Sequence, residues 1–80
     1  MVLDRGVVYN MNIIFTSHVK ERMELRKILK EEVIDAILHP DIIIKEYGEY
    51  YFQKKLERGT IELPCERTET YIKVITVDWL

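Results

Sequence analysis

Apolar residues recur at helical spacing in the first half of the chain and alternate with polar ones in the second half. Ahead of the first helical run, Val7, Val8, Tyr9 and residues 11–15 are mostly β-branched or aromatic, which predicts a short leading strand. Met11 is an alternative start, so residues 1–12 read as an N-terminal extension or an edge strand. Thr16 or Ser17 supplies an N-cap for a first helix reaching about Ile28. Residues 31–39 read as a second helix. Val33, Ile34, Ile37 and Leu38 gather on one side, with Glu31, Glu32, Asp35 and His39 on the other. Its acidic first turn complements the helix dipole, and Pro40 disfavours helix at His39 and ends it. The connection at 28–30 is short, which predicts an αα-hairpin, although Leu29 is a poor cap.

From Asp41 the pattern changes to strands at 41–47, 50–57, 60–66 and 71–78, separated by Gly48, by Arg58-Gly59 and by residues 67–70. Short connections make antiparallel neighbours. The expected architecture is α+β, one domain over residues 1–80: an N-terminal helical hairpin packed on a four-stranded antiparallel β-meander, with room for an extra N-terminal strand. Ile42, Ile44, Phe52, Leu56, Ile61, Leu63, Ile75 and Val77 are expected on the face beneath the helices.

Composition narrows the class. A chain of 80 residues with 48% hydrophobic and 32% charged side chains builds one modest globular core. Its one cysteine, Cys65, cannot close an internal disulfide, so a reducing, cytoplasmic location is expected. Residues 1–8 carry Asp4 and Arg5 and do not read as a signal peptide. No run approaches a membrane span of about 18 apolar residues, so no membrane partner is expected. The net charge of −2 argues against broad, charge-driven nucleic-acid binding. Basic residues are nonetheless concentrated, five against two acidic over residues 18–30 and three against one over 54–58, which keeps a local basic groove open.

Within the basic stretch, His18, Arg22 and Arg26 recur every four residues. Each step of four turns about 400°, so the three side chains stack along one helix face about 40° apart. Lys20, Glu24 and Lys27 fill the opposite arc, so the stripe is expected to turn toward the protein body, where charge must be paired or used. His18 suits general acid or base chemistry or a backbone hydrogen bond. Arg22 and Arg26 suit a phosphate clamp, or ion pairs to Asp41, Glu46 or Asp78. Arg22, central in the arc, reads as the structural member, and Arg26, nearer the rim, as the ligand.

The segment His18-x3-Arg22-Met23-x2-Arg26-x-Ile28, the acidic helix ending in Pro40-Asp41, and the strands ending in Ile75-Thr76-Val77 resemble the domain of unknown function 4258 family over roughly residues 13–79. The resemblance implies a fold similar to RelE/ParE-type toxins within the wider barnase-like nuclease group, and an RNA-directed activity. Lys27 and Leu29 depart from the pattern, which has a small residue and a Ser or Thr cap there.

Together these readings give a metal-independent, toxin-type endoribonuclease. His18 is the acid or base, Arg22 and Arg26 are the clamp, and Thr76 or Asp78 on the last strand completes the site. RNA and a small antitoxin protein are the expected partners, with Arg26, Lys54 and Tyr51 as RNA contacts. Tyr47, Tyr50, Tyr51, Phe52 and Tyr71 read first as ordinary sheet residues, with base stacking as the alternative. The competing readings are a non-catalytic interaction module, or an inactive toxin homologue whose His/Arg stripe is a buried network. Lys54, Lys55 and Arg58 read as a solvated edge that resists strand aggregation. His39 reads as solvated and Cys65 as a small strand residue. Two histidines and one cysteine show no metal-ligand spacing, and isolated glycines build no phosphate-cradling loop, so neither metal nor cofactor is expected. Homodimerisation through a strand edge is compatible with the pattern, with no particular residue to specify it.

Overall fold

The computed structural model describes residues 12–80. The proposed extension and the Val7–Tyr9 part of the leading strand lie outside the described residues. The chain runs β1 (Asn12–Phe15), α1 (Ser17–Arg26), α2 (Lys30–Leu38), β2 (Ile42–Glu46), β3 (Glu49–Leu56), β4 (Gly59–Arg67), β5 (Tyr71–Val74) and β6 (Asp78–Trp79). Thr16 caps α1, its Oγ1 accepting the Val19 N–H at 3.1 Å. Lys27 ends α1 in the left-handed region, with φ 60°. Leu29 offers α2 no side-chain cap, but the Glu32 carboxylate reaches back to the Leu29 N–H at 2.9 Å, the acidic half of a capping box.

The α+β class holds, but the four-stranded antiparallel meander under a helical hairpin does not. The strands form one six-stranded mixed sheet, ordered β1-β5-β4-β3-β2, with β6 also paired to β4. β1 runs parallel to β5, because the two helices carry the chain across the sheet before β2 begins. The helices rest on different strands, α1 on β6 and α2 on β3, and not as one hairpin unit. The expected last strand is broken in two, and Pro64 explains the break. Ile75 donates to the Pro64 carbonyl at 2.8 Å, but Pro64 has no N–H to return the bond, so the ladder cannot continue. The chain leaves the sheet after Val74, buries Val77, and rejoins β4 one register step later at Asp78 and Trp79.

The core lies between one sheet face and the helices. Phe52, Ile61, Leu63, Cys65, Ile72 and Val74 pack against Val19, Met23, Val33, Ala36 and Ile37. The expected core contributors Ile42 and Ile44 are misplaced: they are 51% and 41% exposed. The β2–β3 register pairs Ile43 with Phe52 and so turns Ile42 and Ile44 to the uncovered face. Ile43, on the helix side, is still 48% exposed because α2 stops over β3. Leu56 is only partly buried, packed against the edge of the core.

Candidate functional site

The buried residues of α1 are Val19 and Met23. The His/Arg stripe therefore lies along the margin of the helix and does not turn wholly inward. His18 is exposed, while Arg22 and Arg26 are half-buried. Arg22 Nε approaches His18 Nε2 at 3.5 Å, the outer limit of a hydrogen bond. These two residues, with Glu21 and Leu25, line an open groove of about 270 Å³. Positions 18, 21, 22 and 25 are spaced i, i+3, i+4, i+7, so one helix face supplies the whole lining.

The ion pair expected of Arg22 is made by Arg26. Arg22 makes no ion pair among the described residues, whereas Arg26 Nη2 meets Asp78 Oδ1 at 3.1 Å. The reason is β6: its rejoining of β4 brings Asp78 and Trp79 beneath the end of α1. The Trp79 indole N–H donates to the Arg26 carbonyl at 3.0 Å, satisfying one of the open acceptors at the helix C-terminus. Arg26 Nη1 is buried without a hydrogen-bond partner among the described residues, so its second amino group is desolvated and uncompensated. Thr76 sits in the β5–β6 connection, half-buried, with no side-chain hydrogen bond among the described residues linking it to His18 or Arg26. The five expected catalytic residues thus separate into His18 with Arg22, Arg26 with Asp78, and Thr76 alone.

Arg58, expected to be solvated, proves to be a structural hub. It donates to both Glu32 carboxylate oxygens at 2.8 and 2.9 Å and to the Lys27 carbonyl at 3.0 Å. Its guanidinium lies 5.3 Å from the Trp79 ring centroid. The Arg58 guanidinium holds the Glu32 carboxyl below the usual carboxylate range, with the Leu29 N–H adding to this against the opposing effect of burial. Gly59 makes the approach feasible: its φ of +143° favours glycine, and a Cβ there would stand 3.3 Å from the Trp79 ring. Nothing in local sequence signals the Arg58–Glu32–Trp79 contact, since it joins a turn, a helix start and the last strand. Only the Arg58-Gly59 turn has a local signal.

Lys54 is likewise engaged and not solvated. Its Nζ donates to the His39 carbonyl at 2.7 Å and stands 3.8 Å from Asp35, closing the C-terminus of α2. Tyr51 bonds Glu49 at 3.1 Å, and that carboxylate raises the phenol pKa. Because β3 residues alternate, Lys54 faces the helices and Tyr51 the uncovered side. Arg26, Lys54 and Tyr51 therefore do not converge on one surface. Tyr50 packs between Lys45 and Arg67, whose charged groups lie 5.4 and 5.7 Å from its ring centroid.

Cys65 is fully buried and burial pushes its thiol up to about 12, so it carries no thiolate at neutral pH. Among the described residues no cluster of His, Cys, Asp or Glu has the arrangement of a metal site. No described helix is long and apolar enough to cross a membrane. A larger hollow of about 420 Å³ opens at the α1–α2 corner, where Lys20, Glu24, Lys27 and Lys30 surround Met23, Ile28 and Leu29.

Over residues 15–79 the chain matches the family model described as Domain of unknown function (DUF4258) and belongs to that family. No curated protein and no solved structure matches it.

Proposed function

We propose that this member of the DUF4258 family acts on RNA as a metal-independent endoribonuclease working through the α1 groove. The observation that carries the reading is the pairing of an exposed imidazole with a guanidinium and a carboxylate around one open groove: His18, Arg22 and Glu21. In the proposed reaction the Glu21 carboxylate takes the ribose 2′-hydroxyl proton. The 2′-oxygen attacks phosphorus, and His18 as general acid gives a proton to the departing 5′-oxygen, leaving a 2′,3′-cyclic phosphate. In this scheme Arg22 stabilises the charge that develops on the phosphorane. Arg26 and Asp78, tied to each other, hold α1 on β6 and position the helix without touching the substrate. Thr76 has no step in this scheme. The sequence resemblance to RelE/ParE-type toxins is the second support, and it brings with it a small antitoxin protein as partner.

The test is cleavage of a fluorescent RNA by purified protein in the presence of a chelator. His18→Ala and Glu21→Gln are expected to lower the rate at least about 100-fold while leaving the fold intact. RNA left whole by a folded protein at stoichiometric concentration would overturn the reading. The ion-paired Arg26 favours a second one, a non-catalytic interaction module or inactive toxin homologue in which part of the stripe is structural. Intact RNA with an unchanged fold is the outcome that reading expects.

A further inference from the structure

We infer that β2 is a self-complementary dimerisation edge that pairs antiparallel with β2 of a second copy about a two-fold axis through Ile43, joining two sheets into one. All five residues of β2 are exposed, including three consecutive isoleucines, and among the described residues only β3 pairs with it. The hydrogen-bonding direction of this edge follows from the turn that precedes β3. Tyr47 and Gly48 both have positive φ, at 54° and 79°, and close a two-residue hairpin on the Glu46–Glu49 pair. Pairs alternate along an antiparallel ladder, so Glu46, Ile44 and Ile42 direct their backbone groups to β3. Ile43 and Lys45 then present N–H and C=O at the free edge. Such an edge normally carries blocking devices along its length. Here Pro40 stands before the strand, the Asp41 N–H is bonded to Gln53 at 2.9 Å, and Lys45 and Glu46 charge the far end, leaving the three isoleucines as the open window.

Register decides the occupant. With the axis at Ile43, each Ile43 faces its own copy, Ile42 faces Ile44 of the second copy, and Lys45 faces Asp41 of the second copy. Every pair from Asp41 to Lys45 is then apolar with apolar or opposite in charge, with the Asp41 carboxylate also accepting the Lys55 N–H of its own chain at 2.7 Å, and Glu46 faces Pro40 of the second copy. An axis at Ile44 sets Lys45 against Ile43 and Glu46 against Ile42. An axis at Lys45 sets two lysines against each other and Ile44 against Glu46. Only the first register satisfies both the side chains and the edge hydrogen bonds, with two bonds between the Ile43 residues and two from Lys45 N–H to the Asp41 carbonyls. It also extends the uncovered apolar strip formed by Ile44, Tyr51 and Pro64, which are cross-strand neighbours. Such an interface is isologous and closes at two copies, because each copy uses the same β2 edge. The inference is independent of any RNA chemistry at α1.

Sedimentation equilibrium from about 1 µM to about 1 mM is expected to show a reversible rise toward twice the 9.6 kDa chain mass. Ile43→Lys places two ammonium groups at the axis and is expected to keep the chain monomeric, with its circular dichroism spectrum unchanged. Lys45→Asp, which sets two carboxylates together, is expected to weaken the dimer at least about tenfold, and Lys45→Arg to preserve it. Register is read by oxidative cross-linking. Ile43→Cys brings the Cα atoms to about 5.5 Å, within disulfide reach, whereas the residues of a Lys45→Cys dimer stand about 14 Å apart. Ile43→Cys should therefore cross-link at least about tenfold faster. A strict monomer throughout the range overturns the inference and leaves the edge to a strand from another protein. A dimer that survives Ile43→Lys, or equal cross-linking of the two cysteine variants, overturns it as well.

Discussion

The Trp79 indole N–H and the Arg26 carbonyl, 53 positions apart, meet at 3.0 Å and close the end of α1 from below. The neighbouring Lys27 carbonyl is closed from the β3–β4 turn by Arg58 at 3.0 Å. Two of the unsatisfied acceptors at this helix end are thus met by side chains from distant strands. The same contacts fix where the His18–Arg22 groove lies relative to the sheet.

Trp79→Phe keeps the ring under Arg58 but removes the donor to Arg26. The expected cost is about 1 kcal/mol, read as a lower midpoint in urea at unchanged slope. Arg58→Lys is expected to restore little of the thermal stability lost in Arg58→Ala, because an ammonium cannot make the two-pronged contact to Glu32 and lie flat on the indole at once. Equal melting temperatures for Arg58→Lys and wild type would contradict this.

Arg22→Ala and Arg26→Ala should separate cleanly. Arg22 makes no ion pair among the described residues, so its removal is expected to change stability by less than about 0.5 kcal/mol. Arg26→Ala strands a half-exposed Asp78 and should cost about 1 kcal/mol. If the groove serves RNA, Arg22→Ala is instead the variant that loses cleavage, which a melt and a cleavage assay on the same samples will show.

Glu32 gives the fold an acid-sensitive contact. Its folded pKa lies below the ordinary 4.5, so the stability it supplies is fully present above that value. The contribution is lost progressively as pH falls below 4.5 and through the folded pKa. Glu32→Gln should be less stable at neutral pH, with the gap to wild type shrinking in acid. Parallel stability–pH curves for the two proteins would count against the assignment.

Tyr47 occupies a left-handed position at the β2–β3 turn, with φ 54°, and is 93% exposed. A tyrosine gains no packing there and is disfavoured by backbone sterics. Tyr47→Asn, which builds the preferred Asn-Gly turn, should stabilise the protein by about 0.5–1 kcal/mol in thermal melts.

The sequence by itself determined the elements whose signals are local. A cap at Thr16 or Ser17, Pro40 as a stop and the breaks at Gly48 and Arg58-Gly59 act within a few residues, and α1, α2 and the β2–β3–β4 hairpins form accordingly. The α+β class and the membership read from the His18–Arg26 segment follow from the same short-range information. What tertiary structure alone decided is which distant groups meet. A missing Pro64 N–H breaks the last strand, and the resulting one-residue shift brings Asp78 to Arg26 and Trp79 beneath Arg58. A one-residue difference in β2 register likewise turns Ile42 and Ile44 outward. Strand pairing transmits a single-residue step to every side chain along it, so helix periodicity was readable from spacing, whereas the arginine partners and the exposed edge depended on pairing across the sheet.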